Sequence, residues 1–281
     1  MSGLKDILIP HPDYDLILSA DYSQLEVVVL AQLAGPGRLR EDILSRVDIH
    51  TALLSMRVGV PYEELKAIID NQDDPNHSHW VAERKINKRM SFQLQYGAGA
   101  ESMAQKLGLE PSVTRQFIKS YYSRYPEVKK LQEKWINLVE QRATPSGRRS
   151  VSGYPVKYGW LDSQTGRKYV FYEQDNPPHL RKRYGNVSFN PPNIKNYPVQ
   201  GLATGDLVPI GVANLNDRIL NEGIYNKFAL ANTVHDSVVG YTQKDFVDIA
   251  AKMVKDELEG VAEYVKNRYN MELFTKPAVE I

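Results

Sequence analysis

The chain has 281 residues, of which 42% are apolar, and its 35 Lys and Arg against 34 Asp and Glu leave a formal net charge of +1. This length allows one large domain or two small ones, and the charge balance excludes nucleic-acid binding driven by overall charge alone. The absence of cysteine excludes a disulfide framework, a thiol nucleophile and a Cys-type zinc site. No stretch approaches the roughly 18 apolar residues of a membrane helix and no signal peptide opens the sequence, so we expect a cytoplasmic protein.

The first half of the chain predicts one strand followed by helices. The apolar run Leu16–Asp21 is typical of a buried strand, and apolar residues at helical spacing predict a helix over Gln24–Leu33. A polar loop is expected over Asp73–His79, before a long helix that ends at Gly97. The helices predicted after the first run from the cap Asp48 to about Arg57, from Pro61 to about Asp70, and over Trp80–Tyr96, Pro111–Tyr122 and Pro126–Arg142.

The second half of the chain changes in character. Residues 144–196 are rich in Gly, Pro, Tyr and basic residues, which predicts hairpins and loops. A helix is predicted over Leu202–Leu220, where Pro209 can introduce a kink. The remaining predicted elements are strands over Phe228–Thr233 and Ser237–Thr242 around a tight turn, and an amphipathic helix over Asp245–Asn267.

Two aspartates stand at the ends of predicted strands that are far apart in the sequence. Asp21 closes the first strand, and Asp236 follows the apolar run that ends at Val234. Mg²⁺ prefers carboxylate oxygens, and two such ions about 3.5–4 Å apart can activate a 3′-hydroxyl and stabilise a leaving pyrophosphate. A single aspartate at a strand end is more often a helix cap or a turn former, so the pair gains weight only from the residues around it.

The long predicted helix carries two cations and two aromatic residues at intervals of four: Arg84, Lys88, Phe92 and Tyr96. Each interval turns a helix by about 400°, so the four lie on one slowly drifting stripe roughly 18 Å long. The cations can grip phosphates, Arg through a fork and Lys as a point charge, while the aromatics can cover a base and a sugar. The alternative is an amphipathic helix with a basic face and two core aromatics.

Two further features have two interpretations each. Glu26 either stabilises the positive N-terminus of the helix after the first strand, or crowds the 2′ position of a sugar and excludes ribonucleotides. Tyr169, Phe171 and Tyr172, together with Lys168, either stack on nucleic acid or form one face of a hairpin.

These residues stand in an order that resembles family A DNA polymerases, the class of bacterial DNA polymerase I and several phage replicases. One matching motif is weak evidence, whereas six in family order, from Asp21 to Asp236, cover most of the chain. The matching segments are Asp21–Glu26 (motif A), Asp48–Ala52 (D-I-H-x-A), Arg84–Gly97 (motif B), Thr144–Arg149 (T-x-x-G-R-R), Asn196–Gly201 (N-x-P-x-Q-G) and Val234–Asp236 (motif C).

The resemblance implies a role for each matching position. Asp21 and Asp236 would be catalytic and bind two Mg²⁺ ions, or Mn²⁺, with the Tyr22 backbone carbonyl as a further ligand. Lys88 would also be catalytic, as a proton donor to pyrophosphate, and Glu26 would be a steric gate against a 2′-hydroxyl. The implied contacts to the incoming dNTP are Gln24, Glu26, His50, Arg84, Lys88, Phe92 and Tyr96, and those to primer-template DNA are Arg148, Arg149, Asn196, Gln200 and His235.

The resemblance also implies an α+β fold, with an antiparallel polymerase palm sheet and a helical fingers subdomain. We expect residues 1–36 to form palm with motif A, residues 37–125 to form fingers with motif B, and residues 126–281 to form palm with motif C and a hairpin or loop insertion at about 144–196. The thumb and exonuclease-type domain of the family would be absent. The implied function is template-directed DNA synthesis by two-metal nucleotidyl transfer.

Motifs A, B and C each depart from the family pattern. Ser237 stands where motif C usually has Glu, Ser91-Phe92-Gln93 stands where motif B usually has Asn-Phe-Gly, and Val27-Val28 stands where motif A usually continues with Leu-Arg. The two main metal-binding acids, Asp21 and Asp236, remain. We therefore expect catalysis to depend less on the residue at position 237, and not to be lost.

Two of these sequence features favour an alternative, an RNA polymerase. His235-Asp-Ser and Lys88-Arg89 also resemble single-subunit phage RNA polymerases. Those enzymes lack a Glu in motif A and a Phe at the corresponding motif B position. Glu26 and Phe92 therefore favour deoxynucleotides over ribonucleotides.

The missing thumb has two explanations: the chain is a fragment of a longer polymerase, or the polymerase is split between two genes, as in some phages. Met1-Ser-Gly-Leu is typical of a natural start, which favours a split enzyme. We then expect a second subunit with the thumb, the N-terminal palm and, where one exists, an exonuclease, and an encoding phage would place both in the cytoplasm of its bacterial host. A non-catalytic accessory subunit is the alternative, although the intact Asp21, Arg84, Lys88 and Asp236 argue against it.

Overall fold

The structure, a computed structural model, describes residues 9–281. Contacts divide these described residues into two compact units, the first formed by 9–29 together with 164–166 and 199–281, and the second by 30–163 and 167–198. These boundaries differ from the predicted palm and fingers, because most of 126–198 groups with the helices of the second unit. The first eight residues of the predicted palm segment 1–36 lie outside the described residues, and the functional subdomains stay a prediction.

The first unit contains a four-stranded antiparallel sheet with the strand order β7-β8-β1-β9. Its central strand β1 pairs with β8 from Leu16↔Thr242 to Asp21↔Ser237, and with β9 at its C-terminal end. The predicted strands and tight turn are therefore present, whereas β9 was not predicted. The four strands are β1 (Leu16–Tyr22), β7 (Phe228–Val234), β8 (Ser237–Thr242) and β9 (Val279–Glu280).

Helix α12 (Val247–Tyr269) packs on the face of this sheet that is opposite to Asp21. Alternate residues of β1 are buried on that face, among them Tyr22, whose hydroxyl donates to the Leu258 carbonyl at 2.7 Å. Helix α11 (Val208–Asn221) approaches α12 closely at Gly211, where a Cβ would lie 2.8 Å from the Leu258 side chain. The absence of a side chain at Gly211 lets the two helices pack closely at this point.

The helix predicted over Leu202–Leu220 is divided into three parts. Helix α10 (Pro191–Leu202) leads into a π-helical turn over Ala203–Leu207, after which α11 begins. Pro209 lies just after the π-helical turn inside this uninterrupted helical run, so the predicted distortion at the proline takes the form of a π-helical turn.

The second unit is largely helical. Asp48, Pro111 and Pro126 precede or begin helices, as predicted. Gly59 ends the helix that Asp48 caps and Gly108 ends another, with φ of 76° and 65°. Helix α1 (Leu25–Ala34) begins in the first unit and ends in the second. The other helices are α2 (Arg38–Leu44), α3 (Ile49–Val58), α4 (Tyr62–Asp70), α5 (His77–Gln95), α6 (Ala100–Leu107), α7 (Pro111–Arg124) and α8 (Pro126–Gln141), of which α2 and α6 were not predicted.

Helix α5, predicted to begin at Trp80, begins three residues earlier because the loop before it is tightened by its own hydrogen bonds. The Asp74 carboxylate accepts from the Asn76 backbone at 2.8 Å, and the His77 backbone donates to the Asp74 carbonyl at 3.0 Å. The helix ends near Gly97, as predicted. Gly97 has φ of 76°, and a Cβ there would lie 2.3 Å from the Pro192 Cα, so glycine is required at this position.

The buried carboxylate of Asp42 ties several of these helices together. Asp42 is 1% exposed and accepts from Arg38 at 2.7 Å, from Arg124 at 2.7 Å and from the Tyr125 hydroxyl at 2.9 Å. A buried charge of this kind is tolerated only when it is paired and hydrogen-bonded.

The segment after α8 forms hairpins, as predicted for residues 144–196. A three-stranded sheet comprises β2 (Thr144–Arg149), β3 (Pro155–Asp162) and β4 (Lys168–Tyr172) in that order. Gly159 of β3 lies against the Val139 carbonyl of α8, where a Cβ would be 2.2 Å away. The short strands β5 (Gln174–Asp175) and β6 (Val187–Ser188) and the unpredicted helix α9 (Pro178–Tyr184) follow, before α10.

Within residues 9–281, no helix is both long enough and apolar enough to span a membrane.

Candidate active site

The two predicted metal-binding aspartates lie at the same end of the four-stranded sheet. Asp21 is paired in register with Ser237, the residue that follows Asp236, and the Tyr22 backbone N–H donates to the Asp236 carbonyl at 3.2 Å. The antiparallel pairing of β1 with β8 therefore brings together two residues that are separated by more than 200 positions in the sequence.

The backbone next to both aspartates is left-handed. His235, the first residue of the β7–β8 turn, has φ of 56°, and Gln24, in the turn after β1, has φ of 55°. Positive φ is uncommon in residues other than glycine, and such residues cluster at functional sites. The Gln24 carbonyl accepts the first helical hydrogen bonds of α1, whose first turn carries the half-buried Glu26.

The donors at this sheet end fit a hard divalent cation. Carboxylate and backbone carbonyl oxygens are the ligands that Mg²⁺ prefers, and Asp21, Asp236 and the Tyr22 carbonyl supply them. The Tyr22 side chain is not a candidate ligand, because burial, reinforced by Glu259, raises its pKa far above the ordinary value and its hydroxyl bonds to Leu258. Among residues 9–281 no three His, Asp or Glu side chains are already gathered as a metal cluster, so the metal roles stay a prediction.

Strand β9 adds a residue that the sequence analysis did not single out. Glu280 is exposed and lies directly opposite Asp21, while Ser237, on the other side of Asp21, is 3% exposed. Residues that are directly opposite in an antiparallel pair project on the same face. No local signal in the sequence predicted this pairing, because β9 is only two residues long.

The predicted triphosphate stripe lies on α5 in the second unit. Phe92 is 37% exposed and Tyr96 is 45% exposed, whereas Met90 and Leu94 of the same helix are buried. The alternative of an amphipathic helix with both aromatics in the core is therefore wrong for these rings. The Lys88 ammonium lies 5.7 Å from the centre of the Phe92 ring, which brings the cationic and aromatic parts of the stripe together.

The Arg84 guanidinium is held by an acid that the sequence analysis treated only as a helix cap and motif residue. Arg84 Nε donates to Asp48 Oδ2 at 2.6 Å. Asp48 also caps α3, accepting from the backbone of His50 at 3.1 Å and of Thr51 at 3.2 Å. Against the opposing effect of burial, the hydrogen bonds from Arg84 and Thr51 hold the pKa of Asp48 below its ordinary value. Asp48 thus stays charged and orients Arg84.

His50 lies beside this pair and is neutral at pH 7. Burial lowers the pKa of His50 to about 4, against the opposing charge of Asp48 and with smaller contributions from Arg84 and Lys88. Ser91 Oγ donates to the Asn87 carbonyl at 3.0 Å and lies 3.3 Å from His50 Nδ1. The neutral ring can donate to Ser91 when its proton is on Nδ1 and can accept from Ser91 when its proton is on Nε2, so the hydroxyl contact fits both neutral tautomers.

The predicted DNA contacts are distributed over both units. Arg148 and Arg149 lie on β2, with the Arg148 guanidinium 4.6 Å from the Tyr172 ring centre and Arg149 donating to the Gly153 carbonyl at 2.6 Å. Asn196 belongs to the second unit, while Gln200 and His235 belong to the first. Their roles in binding DNA stay predictions.

The fold is that of a polymerase domain. The POL domain of Pol1 from M. smegmatis, solved in complex with a DNA primer-template and dNTP, superposes with a TM-score of 0.66 and 18% identity over 99% of this chain and 41% of that chain. A model of DNA polymerase family A matches residues 2–274. The chain therefore belongs to DNA polymerase family A.

Curated relatives agree with this assignment. The chain is 26% identical over 92% of its length to DNA polymerase I of Chloroflexus aurantiacus, and 27% identical over 88% of its length to the thermostable DNA polymerase I of Thermus aquaticus. These matches cover 23% and 25% of the two relatives, so the chain spans about a quarter of their length.

Proposed function

We propose that this chain carries the nucleotidyl-transfer site of a DNA-directed DNA polymerase. The observation that supports this most strongly is the register that sets Asp21 beside the Asp236 turn, in a chain that matches the family over residues 2–274. The relatives are DNA polymerases, and the solved neighbour holds primer-template DNA and dNTP, which are the substrates that we propose for this chain.

Asp21, Asp236 and the Tyr22 carbonyl would hold two Mg²⁺ ions, or Mn²⁺. When bound, such ions lower the pKa of a 3′-hydroxyl and neutralise charge on the leaving pyrophosphate. The chain's own contribution is to hold the two carboxylates at one sheet end, where the strands and α12 fix the backbone.

The α5 stripe would bind the incoming dNTP. Arg84, oriented by Asp48, and Lys88 would pair with the phosphates, and Lys88 would also give a proton to the leaving pyrophosphate. Phe92 and Tyr96 expose ring surface for the sugar and base. Glu26 would occupy the space that a 2′-hydroxyl needs, which together with Phe92 favours DNA over RNA synthesis.

Primer extension by the Asp236→Ala variant tests this function, with Asp217→Ala, an exposed acid of α11, as the matched control. Loss of one carboxylate that holds the metals should lower kcat by at least a hundredfold, whereas the control should retain activity. A non-catalytic accessory role would be supported instead if the assembled polymerase kept its activity with Asp236→Ala.

We further propose that activity requires a second polypeptide with the thumb and N-terminal palm. The coverage of about a quarter of the curated relatives supports this, since the matched region is a small part of polymerases of that length. Purification from the native source would identify such a partner, and mixing it with the chain should increase processive extension. Processive extension by the isolated 281-residue chain would contradict the requirement.

A further inference from the structure

The three-stranded sheet of the second unit has two chemically different faces. In the β3–β4 pair, Gly159, Leu161, Tyr169 and Phe171 alternate with outward residues and are buried. Gly159 contacts α8, and the Phe171 ring lies 5.8 Å from the ring of Tyr197. This inner face accounts for the packing of the sheet.

The outer face carries a row of partly exposed aromatic rings. Tyr158 lies directly opposite Tyr172, with ring centres 5.9 Å apart, and the Trp160 ring is 6.1 Å from Tyr158 at an interplanar angle of 29°. Val170, opposite Trp160, is 41% exposed. The face is thus a continuous apolar platform. We call it the aromatic platform: Tyr158, Trp160, Val170 and Tyr172.

Cations border the aromatic platform. The Arg148 guanidinium lies 4.6 Å from the Tyr172 ring centre, and the Lys168 ammonium lies 5.0 Å from that of Trp160. Arg142 also lies over Trp160, but its charge is compensated by Asp162 at 2.9 Å. Neither Arg148 nor Lys168 forms an ion pair with any of residues 9–281, and the acid opposite Lys168, Asp162, is already paired with Arg142. The three cations at the platform therefore outnumber this one acid.

Exposed rings with unpaired cations match the chemistry of single-stranded nucleic acid. Unpaired bases stack on aromatic side chains irrespective of sequence, and cations along the platform track the phosphates. A duplex has its bases already stacked on one another and cannot use such rings. An apolar protein partner would not need the cationic rim.

We propose that the aromatic platform binds single-stranded DNA, with bases stacked on Tyr158, Trp160 and Tyr172 and phosphates paired with Arg148 and Lys168. Arg148 belongs to the T-x-x-G-R-R segment, for which contacts to backbone phosphates are predicted, so the platform extends a DNA-binding surface beyond that segment. The binding requires neither nucleotide nor divalent cation. Its failure is therefore distinguishable from failure of the proposed polymerase activity.

Fluorescence anisotropy with a labelled dT16 oligonucleotide, the full chain and no divalent cation tests the proposal. Trp160→Leu, which keeps apolar bulk but removes the large ring, should weaken binding about tenfold. Lys168→Gln should weaken binding and reduce its dependence on salt concentration. The matched control is Tyr184→Leu, which removes another exposed ring beside an arginine, with Arg183 5.1 Å from the Tyr184 ring centre.

Val170→Glu provides an independent test, because it adds a negative charge to the platform without touching the inner face. It should weaken dT16 binding at least as strongly as Trp160→Leu, and thermal unfolding of each variant would verify that the fold is intact. The proposal would be overturned if the Lys168→Gln and Val170→Glu variants were folded and bound dT16 as tightly as Tyr184→Leu does. The platform would then be a surface for binding another protein. Equal affinity for dT16 and for a 16-base-pair duplex would also overturn it.

Discussion

Nucleotide binding should be coupled to the uptake of one proton by His50. In the free chain the pKa of His50 is about 4, so the ring is neutral at pH 7, and its Nδ1 faces Ser91. A triphosphate beside the ring brings several negative charges, which stabilise the protonated imidazolium relative to both neutral tautomers. Because the complex then holds one more proton than the free chain, affinity should rise as the pH falls.

The magnitude follows from the distance between pH 7 and a pKa of about 4. Protonating His50 at pH 7 costs about 4 kcal/mol, which the phosphate charges must supply. At pH values between about 4, the pKa of His50 in the free chain, and its higher pKa in the nucleotide complex, each pH unit should change the affinity by up to tenfold.

Titration calorimetry of dATP in buffers of different ionisation enthalpy would count the protons taken up. The measurement is made between pH 6.0 and 7.5 on the chain and on the His50→Gln variant. Protons taken up by the nucleotide phosphates are the same for both proteins, so the difference between them reports His50. The chain should take up close to one proton more than the variant. Equal uptake by both proteins, or an affinity that rises with pH only in the chain, would refute the reasoning.

Three other predictions concern stability and selectivity. The lowered pKa of His50, against 6.5 when unfolded, means that its contribution to stability is complete above pH 6.5 and is lost as the pH falls towards 4. Urea unfolding should therefore show a fall of about 3 kcal/mol that His50→Gln lacks, and parallel pH profiles of the two proteins would contradict it. Asp42→Ala removes the acceptor of the part-buried Arg124 and of the buried Tyr125 hydroxyl, and should lower the free energy of unfolding by about 2–4 kcal/mol. Glu101→Ala, which removes an exposed ion pair, should cost less than about 1 kcal/mol. Similar losses in the two variants would mean that burial of Asp42 does not matter. Glu26→Ala should raise the ratio of kcat/KM for rATP to that for dATP by about 10- to 100-fold in the active polymerase, since it opens space at the 2′ position. An unchanged ratio would remove Glu26 from sugar selection.

Residues that act within one or two helical turns could be predicted from the sequence. The cap at Asp48, the prolines at the starts of two helices and the spacing of the α5 stripe all depend on neighbours along the chain. Residues 38–44 and 100–107 were missed as helices because they are short and carry few of these signals. Strand β9 was missed for the same reason.

The hairpin after β2 illustrates what pattern alone leaves open. The alternation of β4 indicated which residues share a face, and Tyr169, Phe171, Tyr172 and Lys168 were considered together as a stacking surface. The structure buries Tyr169 and Phe171 against the rest of the unit and turns Tyr172 outward, towards Tyr158 of β3. A period of two distinguishes two faces, but only the neighbouring helix decides which of them is covered.

The sequence by itself determined the family, the order of its motifs and most helices, because each motif is a local arrangement of residue types. Only the tertiary structure decided the register that sets Asp21 between Ser237 and Glu280, the pairing of Arg84 with Asp48, and the surroundings that keep His50 neutral. These features depend on contacts between residues that are tens to hundreds of positions apart. Such contacts come from strand pairing and burial, which no short stretch of sequence specifies.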